Sequence, residues 1–173
     1  MASRKEIKLH ELTKFGIPDM FMLNATHRLK STDKFLHEKA GADLFVSFYP
    51  HIKRWAYEPF INSMRADRGM QSKNGLTIYF EVDRLTENIQ VLKDKVGNYI
   101  RYSDKTRERF HVIFAFVGAR ENVRKRGDKI IPYLHAQRRG DQFLIVNHEK
   151  LITDPCGQVL YSPRDEILSL SML

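Results

Sequence analysis

Cysteine is almost absent: Cys156 is the single copy in 173 residues. No internal disulfide can form, and the thiol in Asp154-Pro155-Cys156-Gly157 has no sequence neighbour to activate it. Long apolar runs are also lacking. No stretch reaches the ~18 residues of a membrane span, and Met1-Ala2-Ser3-Arg4-Lys5-Glu6 leads into no signal-peptide core. A cytoplasmic protein without a membrane partner is expected. The chain has no glycine-rich phosphate loop, no Gly-x-Ser-x-Gly elbow and no dinucleotide fingerprint, which argues against NTPase, hydrolase-fold and nicotinamide chemistry. Its seven histidines, His10, His27, His37, His51, His111, His135 and His148, show no HxH, HxxxH or Cys-His ligand spacing, so no zinc site is expected. Acidic charge is in deficit: 21 Asp and Glu face 29 Lys and Arg, a formal net charge of +8. That balance favours a polyanionic partner, of which nucleic acid is the usual one.

What is present is globular composition, 42% apolar and 29% charged, in a chain of single-domain length. Residues 1–30 read as an N-terminal extension and residues 31–173 as one domain. Ser31, Thr32 and Asp33 offer helix caps ahead of Leu36, Ala40, Leu44 and Phe48, with Phe45 widening the stripe and an end near Pro50. Gly41 in the middle costs ~1 kcal/mol relative to Ala and predicts the close approach of another backbone. Strands are expected over 52–60, 63–71 and 76–84, with a turn at Ser72-Lys73-Asn74-Gly75. Thr86 is the expected N-cap of a helix with Ile89, Leu92, Val96, Tyr99 and Ile100 on its apolar face. Residues 109–117 read as a strand buried on both faces, 120–137 as a basic, partly helical stretch interrupted by Gly127 and Pro132, and 141–149 as a further strand. The tail from Asp154 reads as turn-rich. The order is αβββαβαβ, an α/β fold with a mixed central sheet of about five strands flanked by helices.

Chemistry concentrates in Tyr79-Phe80-Glu81-Val82-Asp83-Arg84. Ile78, Phe80 and Val82 alternate with Tyr79, Glu81 and Asp83, so a strand sends the apolar trio to one face and both acids to the other. Roughly 5 to 7 Å apart at an effective dielectric of about 20, the two charges repel by on the order of 3 kcal/mol. A cation or basic partner would relieve this, as would a solvated outer face. Asp67, on the preceding strand, depends on the turn. A two-residue Asn74-Gly75 turn pairs Asp67 with Val82, whereas a three-residue Lys73-Asn74-Gly75 loop with Gly75 left-handed sets it opposite Glu81. Lys95 lies on the flank of the following helix, about 40° from Tyr99 in projection, within reach of a cleft at the sheet edge.

Arg65-Ala66-Asp67-Arg68 and Phe80-Glu81-Val82-Asp83-Arg84, in this order of elements, resemble the strands that carry an acid and then acid-x-lysine in restriction-endonuclease-like nucleases. The longer run Glu81-Val82-Asp83-Arg84-x-Thr86-Glu87, then Lys95 and Tyr99, more specifically resembles the replication-relaxation family of plasmids and other mobile elements. His27, and Trp55 with Glu58, fall where that family's histidine and Trp-x-x-Glu segment are expected, so the likeness covers about residues 27 to 150. It implies a nuclease-like domain acting on DNA in replication or relaxation. It also implies Asp67 and Glu81, with Asp83, as ligands of Mg²⁺ or Mn²⁺, and Lys95 in place of the lysine whose usual position Asp83 occupies. The family's winged-helix DNA-binding domain has no room in the first thirty residues, so a separate DNA-binding or replication protein is an expected partner.

Two functions follow. In one, a metal-dependent phosphodiesterase uses Asp67, Glu81, Asp83 and Lys95 as its site. In the other, a non-catalytic DNA-binding accessory keeps the nuclease fold with structural acids. Phosphate contacts are expected from Arg84, Lys93, Arg120, Arg124, Lys125, Arg126, Lys129, Arg138 and Arg139, and stacking on unpaired bases from Tyr99 and Tyr102. Lys95 in a structural pair with Asp83 or Glu87 is the competing account of that side chain, and a solvated helix face is the competing account of the basic run.

Overall fold

The four-residue apolar spacing becomes helix α1, Thr32–Phe48, in the computed structural model, which describes residues 8–10, 20–22, 32–162 and 167–168. The chain divides into two compact units, Met1–Leu36 and His37–Leu173. Within the first, strands β1, Lys8–His10, and β2, Met20–Met22, pair antiparallel. His27 and Ser31 lie outside the described residues.

In the second unit α1 buries Ala40, Leu44 and Phe48, whereas Phe45 stays exposed. Gly41 accommodates a side chain rather than a backbone: a Cβ there would run into the guanidinium of Arg68. That guanidinium is buried, donates to Glu38 Oε2 at 2.7 Å, and stacks 4.2 Å from the Tyr57 ring centroid.

The first expected strand breaks after β3, Ile52–Tyr57. Glu58 and Asn62 take positive φ of 45° and 57°, and a small hairpin of β4, Phe60–Ile61, and β5, Met64–Arg65, intervenes before β6, Arg68–Ser72. Strand β7, Thr77–Asp83, pairs antiparallel with β6 and parallel with β8, His111–Phe116. β8 in turn pairs parallel with β9, Phe143–Asn147. The helix before β8 is α2, Ile89–Thr106, capped by Asn88 rather than Thr86: the Asn88 side chain accepts from the Gln90 amide at 2.9 Å. Helix α3, Arg120–His135, runs through both Gly127 and Pro132 without a break. The strand expected to reach residue 149 stops at Asn147, whose side chain caps helix α4, His148–Thr153. The tail adds β10, Leu160–Tyr161, and β11, Ile167–Leu168, to the sheet.

Among the described residues the large sheet thus has seven strands in the order β11-β10-β9-β8-β7-β6-β3. It is sandwiched. Ile78, Phe80 and Val82 of β7 pack with residues of α1 and α4 on one side. On the other, Leu92, Val96 and Tyr99 of α2 and Val123, Ile130 and Leu134 of α3 pack against Tyr79, Val112, Phe114 and Phe143. The acids of β7 therefore emerge under helices rather than into solvent, because parallel pairing requires helical crossovers that cover the faces. No described helix is long and apolar enough to cross a membrane.

Candidate acid-lysine site

The β6–β7 turn has three residues. Ser72 N donates to the Leu76 carbonyl at 2.8 Å across Lys73-Asn74-Gly75, and Gly75 takes the positive φ, 92°, that its missing Cβ allows. The ladder runs from Gln71↔Thr77 to Arg68↔Phe80, the register of the three-residue loop, and Asp67 lies just before β6 rather than on it. Asp67 reaches across: its Oδ2 accepts from the Val82 amide at 2.7 Å.

Glu81 is 1% exposed. Its Oε1 accepts from the Tyr99 hydroxyl at 2.6 Å, and its Oε2 lies 3.0 Å from Lys95 Nζ at ion-pair distance without accepting an aligned hydrogen bond. Lys95 Nζ is also 3.0 Å from Glu87 Oε1, while Glu87 Oε2 is buried with no donor. Asp67 Oδ1 faces His37 Nε2 of α1 at 3.2 Å. One strand, two helices and the segments before β6 and α2 thus meet on one cluster: His37, Asp67, Glu81, Glu87, Lys95 and Tyr99.

Its electrostatics follow from burial and neighbours. Burial drives Glu81 up to about 7; Lys95 pulls it back, while Asp67 adds repulsion. Burial opposes the charge on Lys95, but Glu81, Asp67 and Glu87 outweigh it and its pKa is raised. Asp67 is likewise opposed by burial, yet His37 and Lys95 hold it below the ordinary carboxylate value. The hydrogen bond to Asp67 raises His37. Burial, then Glu81, keeps the Tyr99 hydroxyl protonated far above its ordinary range.

Asp83 shares the face of Glu81, as the alternation predicts, but answers to another cation. Its Oδ2 receives Arg126 Nε at 2.7 Å and Nη2 at 2.6 Å, and its Oδ1 accepts from the Leu85 amide at 2.8 Å. Asp83 is thus neutralised by the Arg126 guanidinium, whereas Asp67 and Glu81 share the field of Lys95. Among the described residues no group of three or more His, Cys, Asp and Glu has the arrangement to hold a metal ion. Two donors fit a hard, oxygen-seeking cation: Glu81, with an oxygen lacking any aligned donor, and Asp67 beside it.

The expected nucleic-acid contacts divide. Tyr99 is fully buried and cannot stack on a base, and Tyr102 donates its hydroxyl to Glu108 at 3.0 Å. Arg126 is committed to Asp83 and the Glu87 carbonyl. Lys93 lies 5.2 Å from the Tyr133 ring centroid, and Arg84 is partly buried. Arg124, Lys125 and Arg139 make surface pairs with Asp128, Glu121 and Asp104, while Arg120, Lys129 and Arg138 are exposed. Sequence reasoning missed His37 and the anchoring role of Arg126, since each meets its acid across 30 or more residues and no local spacing signals the encounter. The same holds for Cys156, whose Sγ lies 3.3 Å from His51 Nε2.

The fold and site define a three-layer α/β domain with a buried acid-lysine cluster where its antiparallel and parallel strands join. No family model matches the chain, and no curated protein matches it. Among solved structures it is similar to a repair endonuclease from Pyrococcus abyssi, at 18% identity and a TM-score of 0.39 over 63% of this chain. The match spans 47% of that protein, less than half its length.

Proposed function

We infer that the chain is a DNA-processing protein whose Asp67 and Glu81 hold Mg²⁺ or Mn²⁺ for phosphodiester cleavage. The observation that carries this reading is the buried Glu81 carboxylate, which lies beside a second carboxylate, Asp67, and a lysine, Lys95. Burial disfavours the charge on this carboxylate, and a divalent cation would add to the compensation that Lys95 already supplies. Mg²⁺ typically takes one or two protein carboxylates and completes its shell with water and substrate phosphate, which suits a pair rather than a triad. When bound, the metal would supply an activated water and charge neutralisation at the phosphate. The chain's own residues do the rest. His37 and the Val82 amide fix Asp67, Tyr99 fixes Glu81, and Lys95 offers a point cation to the developing charge on phosphate. The net charge of +8 and the exposed Arg120, Lys129 and Arg138 favour a polyanionic substrate. The replication or mobile-element setting, and a separate DNA-binding partner, rest on the Glu81-to-Tyr99 motif alone.

A second reading is favoured by the pairing itself. Lys95, Arg126 and His37 already compensate the acids, as a non-catalytic DNA-binding accessory would require. Titration of linear, supercoiled and single-stranded DNA with Mg²⁺ and Mn²⁺ separates the two, comparing wild type with Asp67→Asn and Glu81→Gln. Cleavage lost in both variants supports the first reading. Cleavage that survives both substitutions refutes it, and salt-sensitive DNA retention indifferent to chelator supports the second.

A further inference from the structure

We propose that Asp83, Arg126 and Glu87 form a positioning relay that holds the Lys95 ammonium beside Glu81, which gives the misplaced acid of β7 a role. The inference rests on the cation-site reading above. Asp83 ends β7 and pins the turn after it: its Oδ1 takes the Leu85 amide at 2.8 Å, where Leu85 adopts a positive φ of 64°. Its Oδ2 anchors Arg126 through Nε and Nη2. The same guanidinium donates Nη2 to the Glu87 carbonyl at 2.6 Å. One planar fork thereby ties strand end, loop and α3 together, a task a lysine's single ammonium cannot perform. So held, Glu87 presents Oε1 to Lys95 at 3.0 Å, and Lys95 stands equally far from Glu81.

This arrangement answers a difficulty in the proposed chemistry. A divalent cation arriving on Asp67 and Glu81 repels the ammonium already there. Glu87 offers it somewhere to go, since its buried Oε2 has no donor. Lys95 can shift from Glu81 toward Glu87 while staying in the site, facing the incoming phosphate. Glu87, Arg126 and Asp83 touch neither metal nor substrate in this scheme; they are positioning residues acting through Lys95.

The test uses the full chain with Mn²⁺ as probe, reading affinity by calorimetry and the Lys95 ammonium by ¹⁵N NMR. Glu87→Gln and Glu87→Asp should each weaken Mn²⁺ binding by about tenfold, the low end of what outer partners of a metal site contribute. Each should also broaden the Lys95 signal. Glu87→Asp keeps the charge but falls a methylene short, so a purely electrostatic role would leave it like wild type and overturn the proposal. Arg126→Lys keeps its charge but loses the fork; it should act in the same direction and add nothing on top of Glu87→Gln. Additive losses overturn the relay. If near-UV circular dichroism shows Arg126→Lys unfolded, the Glu87 pair decides alone. A wild-type chain that binds no Mn²⁺ removes the cation-site reading, yet the relay is still judged by the Lys95 signal. Its loss in Glu87→Asp supports the relay, and its absence from wild type or persistence in Glu87→Asp overturns it.

Discussion

Lys95→Met isolates the interaction that keeps Glu81 ionisable. Methionine preserves the stem's packing and removes only the ammonium, 3.0 Å from a carboxylate that is 1% exposed. At pH 5 the folded wild-type Glu81, with its pKa at about 7, is protonated, and so is that of the variant, so little Glu81–Lys95 ion pairing is lost. At pH 8 the wild-type group ionises above its pKa, a gain on the order of 1 kcal/mol. In the variant, without the strongest influence lowering it, Glu81 stays protonated and forfeits that gain. The unfolded chains cancel, since the free lysine is charged at both pH values. The destabilisation should therefore grow by on the order of 1 kcal/mol between pH 5 and pH 8, or about 2–4 °C in Tm for a chain of this size. Urea unfolding of both proteins at the two pH values measures it. An equal cost at both, or a larger one at pH 5, would refute the claim that Lys95 holds Glu81 in its charged form.

Gly41→Ala should lower stability by about 2 kcal/mol despite alanine's better helix propensity, because the new methyl displaces a buried guanidinium and strands Glu38; thermal melts check it. Tyr99→Phe should cost about 1–3 kcal/mol for the lost donor to Glu81 and leave DNA retention at low salt unchanged, since the ring is inaccessible. For His37 the raised pKa fixes the sign. Its contribution is full below its ordinary value of 6.5 and fades as pH rises through the higher folded value. The stability gap between wild type and His37→Gln should thus be widest near pH 6 and narrow by pH 9 in melts across that range.

Periodicity exposed much of this protein. The stripe of Ala40, Leu44 and Phe48 and the alternation along β7 are local signals, and both reappear as buried faces. The turn illustrates the boundary of such signals. Lys73-Asn74-Gly75 permits two registers of similar local cost, and only pairing along the whole β6–β7 ladder selects the one that brings Asp67 to Glu81. Capping went astray by two residues: Asn88, not Thr86, caps α2, after a chain turn at Leu85 that Asp83 pins. Asp83 itself was legible as a face-mate of Glu81 but not as a partner of Arg126, which lies 43 residues on and reaches it only once α3 covers the sheet.

The position of β7 between unlike neighbours has a bearing on how the protein folds. On its β6 side it closes through a three-residue turn, a contact that forms with little loop entropy. On its β8 side the first pair, Ile78 with His111, spans 33 residues and waits for α2 to bring β8 alongside. Asp67 and Glu81 should therefore come together early, as two solvated carboxylates still without Lys95, and Tyr99 and Lys95 should follow with the helix. Their late arrival makes helix docking sensitive to anything that neutralises the hairpin's acids first, so protons and divalent ions should speed the refolding of this chain as well as occupy its finished site.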